Sequence, residues 1–167
     1  GYFLAIAGNI GVGKTELTNR LAAELGWLAY YEPVIHNPYL DAFYADMERW
    51  SFHLQIYFLS ERFKAQVEIG KSPIPFIQDR TIYEDAEIFA KNLRAQGHIS
   101  ARDWAVYQRL YEGIKRALRP PDVLIALSCS LKTSKKRIAK RGRGMEQAIP
   151  DAYLRRLHRL YRLPASR

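Results

Sequence analysis

Cysteine is nearly absent from this 167-residue chain. The single residue, Cys129, excludes an intramolecular disulfide framework and a Cys-rich zinc site, and it fits a reducing compartment. Four histidines, at positions 36, 53, 98 and 158, show no pairing at metal-ligand spacing. No apolar run approaches the ~20 residues that a membrane span requires, and mean hydropathy is -0.30. The residues given carry no signal-peptide pattern, so the expectation is a cytoplasmic chain with no membrane partner. Internal repeats, low-complexity tracts and linkers are also missing, and residues 1–167 read as a single domain.

Acids are scarce in one place only. Residues 132–167 hold 12 Lys/Arg against Glu146 and Asp151, a local net of +10, whereas residues 1–131 carry 14 Lys/Arg against 15 acids. The whole +9 of the chain therefore sits at its C-terminal end. Such asymmetry points to a polyanionic partner, either a nucleic acid or the phosphates of a nucleotide.

What is present alternates. Apolar runs at Tyr2–Ala7, Trp27–Tyr31, Ile74–Gln78 and Val123–Leu127 read as strands, the last of them fully apolar. Helical spacing covers the stretch with Leu17, Leu21 and Leu25, then 48–69, 80–95, 101–118, 132–141 and 151–162. Gly26, Gly70, Pro73, Gly97 and Arg119-Pro120-Pro121-Asp122 mark the stops. Continuous apolar strands alternating with helices predict an α/β domain, a buried parallel sheet flanked by helices on both faces.

Between the first strand and the first helix stands Gly8-Asn9-Ile10-Gly11-Val12-Gly13-Lys14-Thr15, a phosphate-binding loop in its proper context. The glycines let backbone N–H groups turn toward phosphate oxygens at the positive end of the helix, with Glu16 in its first turn. Lys14 would reach the β/γ-phosphates and Thr15 would ligand Mg²⁺. An Asn-Lys-x-Asp guanine motif is missing, and the third strand ends Asp79-Arg80-Thr81 rather than Asp-Glu. An arginine beside the nucleotide fits a kinase that clamps a transferring phosphoryl group.

Several further segments carry a resemblance in their order and spacing. They are Glu32-Pro33 with Asn37-Pro38-Tyr39, Arg49-Trp50-Ser51-Phe52-His53-Leu54-Gln55, Asp79-Arg80-Thr81-Ile82-Tyr83-Glu84-Asp85, Arg141-Gly142-Arg143-Gly144-Met145-Glu146-Gln147, and Tyr153-Leu154. With the phosphate loop, they resemble the deoxynucleoside kinase family, the deoxyadenosine, deoxyguanosine and deoxycytidine kinase group in its short bacterial form. The resemblance implies a P-loop kinase fold that uses ATP and Mg²⁺ to phosphorylate the 5′-hydroxyl of a deoxyribonucleoside, and a homodimer built from helices flanking the sheet.

It also implies roles. Glu32, at the end of the second strand where ligands gather, looks like the general base. Asp79 would approach Mg²⁺ and competes for the role of base, or caps the next helix; Arg80 would bridge the phosphoryl group and Glu32. Arg137, Arg141 and Arg143 resemble a lid of about residues 137–149 that closes over ATP, with Glu146 reaching the sugar 3′-hydroxyl. Tyr44 resembles the tyrosine that bonds that hydroxyl. Trp50, Leu54 and Phe89 would sandwich the base and Gln55 would pair with its edge; plain core is the alternative for the apolar three.

Arg62 lies two helical turns beyond Gln55 on the same face, and Asp85 lies early in the helix opened by Asp79-Arg80. The two charges are expected to meet at the far end of the pocket, as a base-reading pair or as a bare inter-helix ion pair. An ionised Asp85 only accepts hydrogen bonds, which suits an exocyclic amino group and opposes O4 of thymine. Arg62 only donates, which suits purine ring nitrogens or O6. The expected substrates are deoxyadenosine and deoxyguanosine, with deoxycytidine next and thymidine poor.

Two departures stand out. Met145 occupies a position where several relatives have an acid, and relatives continue past the final helix into another strand, which is expected to be missing here. Two other functions compete. A nucleoside monophosphate kinase would need extra acceptor-site arginines and no carboxylate base, against Glu32. A nucleic-acid binder would use the basic end, but its charges are interleaved with glycine hinges rather than aromatic platforms, so no nucleic-acid partner is expected.

Overall fold

The computed structural model describes residues 1–31 and 36–162, apart from the Met145 side chain. Four strands, β1 (Phe3–Ala7), β2 (Leu28–Tyr30), β3 (Phe76–Asp79) and β4 (Val123–Ala126), form one sheet in the order β2-β3-β1-β4 with every pairing parallel. The helices are α1 (Lys14–Leu25), α2 (Leu40–Ala45), α3 (Met47–Lys71), α4 (Ile82–Glu84), α5 (Lys91–Ala95), α6 (Ala101–Ala117), α7 (Leu131–Arg141) and α8 (Asp151–Arg162). A π-helical segment, Asp85–Ala90, joins α4 to α5, and a 3₁₀ turn, Gly144–Ala148, lies between α7 and α8.

Alternation along the central strands assigns the two sheet faces. Phe3, Ala5 and Phe76 meet Ile69 of α3, while Leu4, Ile6 and Ile77 meet Leu17 and Leu21 of α1. The β1/β3 register places Ile6 opposite Asp79, so the phosphate loop and Asp79 emerge at the same C-terminal end of the two central strands. Beyond that end a second core forms from Phe43 of α2, Leu54 and Phe58 of α3, Phe89, Ile138 of α7, and Tyr153 and Leu157 of α8. This core is the wall and floor of the site. A third cluster, with Leu59, Ile82, Ala86, Tyr107 and Tyr111, fixes α6 against α3 and the π segment.

Several expectations shift. The third strand runs Phe76–Asp79 rather than 74–78, so Asp79 ends a strand and does not cap a helix. Thr81 caps α4, in a capping box that it forms with Glu84. Helix α2 was not expected, because six residues hold too few turns for a periodic signal. Strand β4 is apolar as read but not buried: it lies at the sheet edge, with Val123 37% and Leu124 57% exposed. At the opposite edge β2 is likewise open at Leu28.

Leu59 has no exposed surface and belongs to the α3/α6 cluster. Leu59→Ala should therefore lower the unfolding free energy by about 2–5 kcal/mol, the usual cost of such a cavity. Leu25→Ala, at an exposed helix end, should stay within about 0.5 kcal/mol. Urea denaturation of the two variants checks the pair.

Candidate active site

The phosphate loop turns through two left-handed glycines. Gly11 has φ +77, and a Cβ there would lie 2.7 Å from the Ser134 carbonyl oxygen and 2.9 Å from Cγ1 of Ile138. Only glycine lets α7 approach the loop so closely. Gly13 has φ +104 at the N-cap of α1. The Asn9 side-chain oxygen accepts from the Ile10 N–H at 2.7 Å, and Lys14 Nζ donates to the Asn9 carbonyl at 2.8 Å. Lys14 is thus folded over its own loop and buried. Thr15 Oγ1 donates to Asp79 Oδ2 at 2.8 Å, which joins the hydroxyl and the carboxylate expected to share Mg²⁺.

This loop forms one end of a cavity of about 530 Å³. Of the residues expected to serve ATP, Ile10, Gly11, Gly13, Lys14, Thr15, Glu16, Arg137 and Arg141 line it. Gly8, Asn9, Val12 and Asp79 act from behind the lining, Val12 by accepting from Arg137 Nη1 at 2.7 Å. Of those expected to serve the nucleoside, Tyr44, Leu54, Gln55, Arg80, Asp85, Phe89 and Glu146 line it. The π segment carries Asp85 and Phe89 to the same wall, as such segments often do at functional sites. Gln55 is buried, with its Oε1 lacking a hydrogen-bond partner among protein groups.

Besides Gly8, Asn9, Val12 and Asp79, three further expected residues among those described stay out of the lining, Trp50, Arg143 and Arg62. Trp50 sits a turn too early on α3; its ring packs against Tyr39 and His53 at 5.8 and 5.2 Å and carries the Arg49 guanidinium. Arg143 lies 3.8 Å from Glu146, whose carboxylate is already held in fork geometry by Arg141 at 3.0 and 2.7 Å. Arg62 is buried beside Asp85, with Nε 3.0 Å from Oδ2, and its Nη1 donates to the Asp79 carbonyl at 3.1 Å. The two charges meet as expected, but Arg62 faces a smaller cavity of about 210 Å³ and supports Asp85 from there. Glu32 lies outside the described residues.

Arg80 is 1% exposed and adopts a left-handed backbone, φ +72. Its N–H continues the sheet by donating to the Ile6 carbonyl at 2.8 Å, and its guanidinium lies 4.3 Å above the Phe89 ring. Nη1 donates to the Tyr161 hydroxyl at 3.1 Å. The sequence assigned no role to Tyr161 or to Glu84. A Thr-x-x-Glu spacing made the capping box readable, but nothing local reveals that Glu84 also accepts from the Gly8 N–H.

One cavity is thus lined by a phosphate-loop motif, by aromatic and amide side chains, and by the buried Asp85 carboxylate. Residues 4–166 match the family model of the deoxynucleoside kinases. The chain belongs to that family. The kinase is 47% identical over 162 residues to a deoxyadenosine/deoxycytidine kinase of Bacillus subtilis, covering 95% of this chain and 74% of that one. A deoxyguanosine kinase of the same organism is 36% identical, covering 93% and 74%. Among solved structures, the deoxyadenosine kinase of M. mycoides with bound dATP superposes with a TM-score of 0.86 at 32% identity, covering 96% of this chain and 82% of that one.

The buried Arg62–Asp85 pair sets a stability test for the kinase. Arg62→Met leaves Asp85 without its counter-charge and should cost about 3–5 kcal/mol. Adding Asp85→Leu should return most of that loss, because the pair repays little more than its own desolvation. Chemical denaturation of the single and double variants measures both.

Proposed function

We propose that this kinase transfers the γ-phosphoryl group of ATP to the 5′-hydroxyl of a deoxynucleoside, with deoxyadenosine first, deoxyguanosine and deoxycytidine as further substrates, and thymidine excluded. The observation that carries this is one cavity lined both by the phosphate loop and by Asp85, whose carboxylate is held by buried Arg62. Asp85 can accept from an exocyclic amino group and repels the O4 of thymine. The Bacillus subtilis relative is named for deoxyadenosine and deoxycytidine, both of which carry that amino group. Gln55 supplies an amide beside the base, and Leu54 and Phe89 supply apolar faces.

In the mechanism, Glu32 takes the proton of the 5′-hydroxyl as the oxygen attacks phosphorus. Arg80 donates to the transferring oxygens, where charge develops. Lys14 and the loop N–H groups hold the phosphate chain of the donor, and Arg137 and Arg141 cover it. Tyr44 and Glu146 orient the sugar. Glu146 must first part from Arg141, which frees the guanidinium for phosphate. Thr15 and Asp79 fit Mg²⁺, which needs only one or two protein oxygens when substrate phosphates and waters complete its shell. Held by Thr15 and Asp79, the ion would supply positive charge against the phosphates of the donor. No set of three or more metal-ligating side chains occurs among the described residues, and none is needed for this.

The basic end of the chain is explained by the same reading. Arg137, Lys140 and Arg141 of the basic end line the cavity beside the phosphate loop, which supports a nucleotide as the partner of this part of the charge. Phe63, Val106 and Leu110 leave apolar surface on α3 and α6, which suits a homodimer. No described helix is long and apolar enough to cross a membrane. Cytoplasmic salvage of preformed deoxynucleosides is the setting we propose.

Glu32→Gln should lower kcat by about 10²–10⁴ with ATP binding intact, the usual worth of a placed general base. If Asp79→Asn is the inactive variant instead, the two carboxylates exchange roles. A panel of the four deoxynucleosides with ATP should place thymidine behind deoxyadenosine in kcat/KM by as much as ~10⁴, because Asp85 would face a like acceptor. Thymidine turnover equal to that of deoxyadenosine would sink the assignment of Asp85.

A further inference from the structure

Arg80 is the residue on which the transfer reaction makes the strictest demand, and it stands where its own backbone is least comfortable. A non-glycine residue in the left-handed region costs about 1–3 kcal/mol and persists only where its surroundings over-determine it. Its side chain must also stay charged and aimed while almost wholly out of water. Two residues that reach no substrate meet this demand, Glu84 of α4 and Tyr161 in the last turn of α8.

Resting on the role given to Arg80 above, we propose that Glu84 and Tyr161 are positioning residues that fix the Arg80 guanidinium and tie it to the start of the phosphate loop. The connections form one continuous chain. Arg80 Nη1 donates to the Tyr161 hydroxyl at 3.1 Å, and that hydroxyl donates to Glu84 Oε2 at 2.7 Å. The same oxygen accepts from the Gly8 N–H at 3.0 Å, and Glu84 Oε1 accepts from the Thr81 N–H at 3.0 Å and the Thr81 hydroxyl at 3.2 Å. Four residues, Gly8 after β1, Arg80 and Thr81 after β3, and Glu84 of α4, are thereby tied to α8 through a single hydroxyl.

The choice of tyrosine follows from what each group can do. A hydroxyl both accepts and donates, so it can stand between a guanidinium and a carboxylate, which neither an amide-free apolar ring nor a second cation can do. Burial, with Glu84 alongside, raises the Tyr161 hydroxyl well above its ordinary range, so it remains a donor at any working pH. Arg80 and Glu84 approach no closer than 4.0 Å. Direct fork pairing would commit two guanidinium N–H groups to the carboxylate. The hydroxyl instead takes up Nη1 of Arg80, and the Phe89 ring packs against the guanidinium at 4.3 Å.

Steady-state kinetics with ATP and deoxyadenosine on the full chain tests the relay. Tyr161→Phe removes one oxygen and keeps the ring packing, and it should lower kcat about ten- to a hundredfold, in keeping with the cost of misplacing a catalytic group. Both KM values should stay within about twofold, and the thermal midpoint should move by less than about 4 °C. A merely structural tyrosine would show the reverse, a lowered midpoint with kcat retained. Glu84→Gln keeps shape and an acceptor oxygen but loses the charge; it should lower kcat in the same way, and it decides the matter if Tyr161→Phe does not fold. The double variant should lose little beyond the worse single one, since both act through one chain of bonds. Retained kcat in both single variants, losses confined to KM, or losses that multiply would overturn the proposal. Arg80→Ala in the same assay keeps the two claims apart. An inactive Arg80→Ala beside a fully active Tyr161→Phe rejects the relay alone, whereas an active Arg80→Ala rejects the role of Arg80 and the relay with it.

Discussion

Charge kept dry is the constraint around which this domain is built. Arg62, Arg80, Asp79, Asp85, Glu84 and Lys14 are all buried within or beside one cavity. Each would cost several kcal/mol to hold there without compensation. The compensation varies from group to group: an ion pair for Arg62 and Asp85, the Tyr161 hydroxyl and the Phe89 ring for Arg80, a threonine hydroxyl for Asp79, a capping box and a glycine N–H for Glu84, a backbone carbonyl for Lys14. Apolar clusters surround these groups on α2, α3, the π segment, α7 and α8 and exclude water from them. The hydrophobic core therefore does two things at once, stabilising the fold and lowering the local dielectric so that aligned dipoles act strongly on a reacting phosphate.

This arrangement explains the polar stripe of α3. A helix of 25 residues buries Leu54, Phe58, Leu59 and Ile69 together with Ser51, Gln55, Arg62 and Gln66. An amphipathic reading treats buried polar positions as breaks in the pattern. Here each has a local reason: Ser51 Oγ donates to the Met47 carbonyl one turn back, Gln55 faces the cavity, Arg62 holds Asp85, and Gln66 donates to the Arg119 carbonyl at 3.1 Å. One continuous helix thus carries Leu54, Gln55 and Phe58 of the cavity lining and, farther along, Ile69 against the sheet.

The sequence was most informative where one local geometry serves one chemistry. The loop from Gly8 to Thr15 was readable because backbone N–H groups, positive φ values and a following helix must coincide. Alternating apolar runs announced the parallel sheet, and the spacing of Gln55 and Arg62 placed both on one face. What escaped depends on contacts between distant segments. Trp50 carries the same apolar signal as Leu54, and only the packing of Tyr39 and His53 around it shows that it is turned away from the cavity. Arg62 and Asp85 could be paired from their spacing, but not the fact that Arg62 supports Asp85 from another cavity. The π segment leaves no compositional mark, and the exposure of β4 follows from its place at the sheet edge rather than from its residues.

The contact between Gly11 and α7 has a mechanical consequence. With the Ser134 carbonyl against the phosphate loop and Arg137 bonded to Val12, the body of α7 is moored to the loop. At the other end, α8 is moored through Tyr153, Leu154 and Leu157 in the core. The basic arm that carries Arg143 and Glu146 is therefore a leash fastened at both ends, from Gly142 after α7 to Pro150 before α8. About nine residues fully extended reach no more than roughly 30 Å, and a leash returning to its second mooring can swing outward by less than half of that. Any parting of Glu146 from Arg141 is therefore confined within that radius of the two moorings.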